Sequence, residues 1–124
     1  MRGVRGATVA EANTREAILA AARELLEALI SANGIDPADV ASVTFTATPD
    51  LDAVYPALAA RELGWRDTAL MCLQEMNVPG SLSRCLRVLI HWNTEKRPEE
   101  IRHIYLHAAA QLRPDRAEEV VGRR

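Results

Sequence analysis

The chain has 124 residues, 48% of them hydrophobic and 26% charged, with 15 Lys and Arg against 17 Asp and Glu. This is the composition of one ordinary globular domain and excludes a fibre, a disordered tail or two full domains. A formal net charge of −2, with the arginines spread along the whole chain, excludes a nucleic-acid-binding signature.

No apolar run approaches the ~18 residues of a membrane span, and the first residues lack the apolar stretch of a signal peptide. The chain is therefore expected in the cytoplasm, away from membranes, with Cys72 and Cys85 as reduced thiols. Among the basic residues only Lys96 is a lysine. That bias reads either as genome composition or as carboxylate recognition, because a guanidinium grips a carboxylate through two parallel hydrogen bonds and an ammonium does not.

In chain order, Arg2 to Val9 alternates small or apolar residues with arginine and is predicted as a strand. Asn13 is expected to cap a helix with Glu16 as its reciprocal partner, and Gly34 to end it in the left-handed conformation. Between them Ile18, Ala21, Ala22, Leu25, Leu26 and Leu29 form one apolar stripe at three- and four-residue steps. Asp36-Pro37-Ala38-Asp39 suggests a helical turn, and Ala41 to Thr48 alternates as a half-buried strand would. Leu51 to Leu63 reads as a short helix interrupted by Pro56 and closed by Gly64. Thr68 to Met76 is a third strand, followed by the Pro79-Gly80 pair of a type II turn.

Cys85 to Trp92 is apolar on both alternating faces apart from Arg87 and His91. It is predicted to be a central strand covered on both sides. One helix cannot supply both layers, so a neighbouring copy of the sheet is the simplest second cover. After a charged loop from Asn93 to Glu100, Ile101 to Leu106 is expected as a fifth strand leading into Ala108 to Leu112. Residues 113–124 are polar and expected to fray. The order predicts an α+β domain: a mixed five-stranded sheet with one long helix and a short helix on one face.

Gly3-x-x-Gly6 is too sparse for a dinucleotide loop, and neither a phosphate loop nor a Gly-x-Ser-x-Gly turn occurs. Cys72, Cys85, His103 and His107 lack metal-site spacing; surface or half-buried structural histidines are the better reading. More informative are the charges inside apolar strands, Arg5, Glu75 and Arg87. A buried ion is costly unless paired, so each must face water, a protein partner or a ligand. A solvated strand face is the plainer explanation for Arg5 and Glu75. It fits Arg87 less well, since its same-face neighbours Cys85 and Leu89 are apolar. On pattern alone, Cys72 reads as a small core residue and Tyr105 as core with its hydroxyl at an edge.

Arg2-Gly3-Val4-Arg5-Gly6-Ala7-Thr8, Ala47-Thr48-Pro49-Asp50-Leu51, Tyr55-Pro56-Ala57 with Arg61, Cys72-x-Gln74-Glu75-Met76, Cys85-Leu86-Arg87-Val88, Ile101 to Leu106 (IRHIYL) and Leu112-Arg113-Pro114-Asp115 follow one another in a recognisable order and spacing. Together they resemble the monofunctional AroH-class chorismate mutases over nearly the whole of residues 1–124, with 113–124 as a flexible tail. The resemblance implies a homotrimeric pseudo-barrel with active sites in clefts between subunits. It also implies conversion of chorismate to prephenate, on the way to phenylalanine and tyrosine, without metal, organic cofactor or covalent intermediate.

By the same resemblance, Arg87 is the cation at the breaking ether bond, and Arg5 and Tyr105 bind carboxylate. Glu75 and Cys72 hold the ring hydroxyl, Met71, Leu73 and Gln74 flank them, and Tyr55, Ala57 and Arg61 form the wall from the adjacent subunit. Leu112 and Arg113 belong to a closing tail. Met71 stands where the family often has a small hydroxyl residue, and Tyr55 replaces the commoner Phe. Two other readings are a deaminase of similar trimeric fold, whose motifs find no match here, and a trimer that only binds a small carboxylate.

Overall fold

The computed structural model describes residues 1–112; the expected tail, 113–124 with Arg113, lies outside the described residues. Five strands, β1 (Arg2–Val9), β2 (Val40–Ala47), β3 (Ala69–Gln74), β4 (Cys85–Trp92) and β5 (Ile104–Tyr105), form one sheet in the order β3-β2-β4-β1-β5. β4 is central and antiparallel to both β1 and β2, while β3 and β5 add in parallel at the two edges. The sheet is mixed, as predicted.

Helix α1 (Arg15–Asn33) buries Ile18, Ala21, Ala22, Leu25, Leu26 and Leu29, the stripe legible in the sequence. These side chains meet Val4 of β1, Val43 and Phe45 of β2 and Leu86, Val88 and Ile90 of β4 in one core. At the far end Gly34 takes φ 73 and its amide returns to the Ile30 carbonyl, a left-handed stop that costs glycine little.

The start of α1 differs from expectation. Thr14 is the N-cap, its hydroxyl accepting the Ala17 amide at 3.1 Å. Asn13 turns away and caps the loop before the second helix instead, its Oδ1 accepting the Asp52 and Ala53 amides at 3.0 and 3.1 Å. That same bond explains why α2 covers only Ala57–Glu62 and not Leu51 to Leu63. The Asp52 and Ala53 amides are committed elsewhere, and Pro56 disfavours helical geometry in Tyr55.

β5 is also shorter than predicted, because the backbone of Arg102 is taken by a side chain. Asn33, buried at the end of α1, accepts the Arg102 amide at 2.8 Å and donates to its carbonyl at 2.9 Å. Only Ile104 and Tyr105 remain to pair with Gly6 and Ala7. The chain then turns at His107, φ 54, into a 3-10 segment, His107–Leu112. β3 stops at Gln74, two residues short of expectation, ahead of the Val78–Ser81 turn in which Gly80 takes φ 82.

α1 and α2 both pack on one sheet face. The opposite face carries Arg5, Thr44, Thr46, Arg87, Leu89 and His91, of which Arg87 is exposed and the rest half-buried. Within one chain β4 thus has a helical layer on one side, and on the other only the partial cover of the 3-10 segment near Tyr105 and Ala7.

α1 packs tightly on β1 at Gly6, where an added Cβ would lie 2.8 Å from Leu29 Cδ1 and 3.0 Å from Leu25 Cδ1. Both leucines are buried and have little room to yield. Gly6→Ala is expected to cost ~1–3 kcal/mol through overpacking, measured as a lower denaturation midpoint; an unchanged midpoint would show that the helix moves freely over β1.

Candidate active site

Arg87 projects from the middle of β4, paired across the sheet with Ala7 of β1 and Thr46 of β2. Both neighbours are short, so the guanidinium has room beside them. Glu75 lies just past β3, fixed by its amide donating to the Ala47 carbonyl at 2.9 Å. Its Oε2 stands 3.3 Å from Arg87 Nε and also accepts the Thr46 hydroxyl. The Arg87 side chain is 46% exposed and that of Glu75 21%. The pair is therefore partly desolvated, which strengthens the attraction without the full penalty of burial.

Arg5 of β1 and Tyr105 of β5 complete this group, and the four line a cavity of about 300 Å³ together with Thr44 and Thr46. Tyr105 is buried, packed with Ala7 and Ala109, and Leu112 packs against that cluster. The Arg5 amide donates to His103 Nδ1 at 3.0 Å. His103 is thus a buried brace for β1, not the surface or half-buried residue expected. Thr46 and His103 were missed as site residues: alternation placed Thr46 on a strand, but nothing in the sequence links it to Glu75.

The remaining sequence-predicted residues lie elsewhere in the same chain. Tyr55, Ala57, Arg61, Met71 and Cys72 line a cavity of about 450 Å³ between α2 and β3. Leu73 and Gln74, again with Tyr55 and Cys72, line an adjoining one of about 600 Å³. Cys72 stands opposite Phe45 and packs against the helix-side core, whereas Met71 and Leu73 stand opposite Thr44 and Thr46 on the other face. Glu75 and Cys72 consequently line different cavities within one chain.

Neither cysteine has the setting of an activated nucleophile. Burial pushes the Cys85 thiol up, against the opposing pull of Arg87. Cys72, Cys85, His103 and His107 do not converge, and among the described residues no group of three His, Cys, Asp or Glu could hold a metal ion. His107 is instead paired with Glu24 of α1 at 3.0 Å.

The start of β4, and so the position of Arg87, is set by a small network around Asp50. Thr48 donates to Asp50 Oδ1 at 2.5 Å, the Arg84 amide donates to Oδ2 at 2.9 Å, and the Cys85 amide donates to the Thr48 hydroxyl at 3.0 Å. Slight desolvation raises the pKa of the exposed Asp50, but the bonds from Thr48 and Arg84 outweigh it and hold the carboxyl below its ordinary 3.8.

Two guanidinium groups, a carboxylate and a phenol line one cavity on the sheet face that the helices leave open, in an α+β protein. The model of the family described as chorismate mutase type I matches residues 1–116. The chorismate mutase AroH of Bacillus subtilis is 47% identical over 116 residues, covering 93% of this chain and 91% of that protein. The AroH of Thermus thermophilus is also 47% identical, covering 93% and 95%. A solved chorismate mutase from Clostridium thermocellum superposes with a TM-score of 0.88 at 46% identity, covering 90% of this chain and 99% of that one. The chain belongs to the type I chorismate mutase family.

Because the folded pKa of Asp50 is depressed, its contribution to stability is fully present above the unfolded value and is lost as pH falls through the folded one. Asp50→Asn is expected to cost ~1 kcal/mol at neutral pH. The gap from wild type should narrow below pH 3.8, followed by denaturant unfolding at several pH values; a gap that widened on acidification would reverse the assignment.

Proposed function

We propose that this chain rearranges chorismate to prephenate in a homotrimer. In this reading Arg5, Glu75, Arg87 and Tyr105 of one subunit face Tyr55, Ala57, Arg61 and residues 71–74 of the next. The observation that carries the reading is the cation–carboxylate pair of Arg87 and Glu75, held at 3.3 Å on an open sheet face beside Arg5 and Tyr105.

The substrate is a dicarboxylate, and its enolpyruvyl chain must fold over the ring before the bonds can exchange. Arg5 and Tyr105 hold carboxylate oxygens and fix that folded geometry, converting a rare conformer into the bound one. As the carbon–oxygen bond breaks ahead of carbon–carbon bond formation, negative charge grows on the ether oxygen. Arg87 meets it with a cation already in place, so the transition state gains more than the ground state. Glu75 keeps the guanidinium oriented and accepts the ring hydroxyl. Cys72 approaches that hydroxyl from the neighbouring subunit, which reconciles its distance from Glu75 within one chain.

The trimer is supported by what a single chain leaves exposed. Tyr55, Met71 and Leu73 are 77%, 58% and 50% exposed along and beside the β3 edge, an apolar border of the kind that marks an interface. A second sheet there would also provide the missing layer over β4. Leu112 closes the site from the Tyr105 side. No described helix is long and apolar enough to cross a membrane, and a biosynthetic step of this kind belongs to the cytoplasm.

Loss of chorismate absorbance, with prephenate identified as product, tests the reaction. Arg87→Lys should lower kcat by about 10²-fold or more, because a point charge cannot serve the ether oxygen and a carboxylate together; near-normal turnover would mean that another cation does the work. No step transfers a proton, so kcat should be nearly flat between about pH 6 and 8. A bell-shaped profile would argue for acid–base chemistry instead.

A further inference from the structure

The cavity between α2 and β3 contains a charged residue that the reading above does not use. Arg15, the first residue of α1, lines it together with Arg61, Tyr55, Met71 and Cys72. No Asp or Glu lines that cavity. Arg15 and Arg61 are both exposed, and among the described residues neither guanidinium is in an ion pair. Arg23, about two turns further along α1, is by contrast paired with Glu27 at 3.6 Å.

The position of Arg15 is unfavourable for the helix that carries it. A cation in the first turn opposes the positive end of the helix dipole, where acidic residues are stabilising. Glu16 occupies the same turn in the favourable sense. A residue that works against its own helix, unpaired, in a cavity without carboxylates, is placed for an anion.

We propose that Arg15 is a capture residue for the dicarboxylate substrate: with Arg61 it forms a cationic rim that draws chorismate into the cleft. The proposal rests on the function assigned above and extends its wall by one residue. Arg15 acts on encounter and binding, and the rearrangement itself is left to Arg87. Two like charges in a partly enclosed, apolar-walled recess focus the field outward, so their effect appears in the rate of capture and is weakened by salt.

The test compares wild type with Arg15→Gln, Arg15→Glu, Arg15→Lys and the control Arg23→Gln. At low ionic strength Arg15→Gln should lower kcat/KM for chorismate roughly five- to tenfold, Arg15→Glu should lower it further, and Arg15→Lys should retain most of it. In all three, kcat should stay within about twofold, and at about 0.5 M salt the differences should shrink. Thermal midpoints of Arg15→Gln and Arg15→Glu should be unchanged or higher, since the clash with the helix dipole is relieved. Arg23→Gln should leave kcat/KM unchanged.

The proposal is overturned if Arg15→Gln matches wild type at low salt, if Arg23→Gln shows the same loss, if kcat falls in step with kcat/KM, or if activity and thermal midpoint fall together. Turnover by the wild-type protein decides the function separately. Calorimetric binding of prephenate, itself a dicarboxylate, reads Arg15 independently of turnover: weaker, salt-sensitive binding to Arg15→Gln supports the proposal, and equal binding overturns it.

Discussion

The molecule is organised around a pair of opposite charges that could not be placed in its core. Arg87 and Glu75 would lose several kcal/mol of hydration each if fully buried, and they stand on, and just beyond, strands of the same sheet as the core residues Phe45, Val88 and Ile90. Alternation solves the conflict. With Leu86, Val88 and Ile90 pointing to α1, Arg87 must point the other way, and a one-residue slip in β4 would drive the guanidinium into the helix layer. The register of β1 and β2 against β4 is therefore as much a part of the site as the charged groups themselves.

That register also fixes what surrounds the cation. Ala7 and Thr46 oppose Arg87 on either side, one giving space and the other donating its hydroxyl to Glu75. Glu75 is thereby held from two directions, by Thr46 and by Arg87. A donor held by its acceptor before substrate arrives needs little reorganisation when charge develops, which is the condition for electrostatic catalysis. The Asp50 network at the start of the strand serves the same purpose, because it sets where β4 begins and hence where its third residue lies.

The faces of the strands were legible in the sequence because alternation is a local property: Val43 and Phe45, or Leu86 and Val88, announce a buried face without reference to anything distant. The stripe of α1 was legible for the same reason. What escaped were assignments decided by tertiary partners. Asn13 has the chemistry of an N-cap, but Thr14 takes that position, and Asn13 caps Asp52, thirty-nine residues away. Ile101 to Leu106 has strand composition, yet Asn33 occupies the Arg102 backbone before a ladder can form. His103 and Thr46 likewise gain their roles from contacts across the fold. The site residues themselves came from family resemblance; pattern marked Arg5, Glu75 and Arg87 only as charges in need of an explanation.

Rigid placement of charge and closure over it make opposite demands, and the fold separates them. Arg5 and Arg87 sit on the hydrogen-bonded neighbours β1 and β4, and Glu75 is tied to the end of β2 through the Ala47 carbonyl. The cover over Tyr105 is a 3-10 segment, poor in backbone bonding geometry and joined to β5 by the left-handed residue His107. The His107–Glu24 pair ties that turn to α1 on the far side of β1. Because both groups are half-exposed, the tie is weak compared with the Asn33 anchor at Arg102, five residues upstream, whose two bonds are partly buried. Local opening should then begin at His107 and spare β5. Tyr105 is held in the sheet by its pairing with Ala7, while Leu112 rests on that cluster through side-chain packing alone.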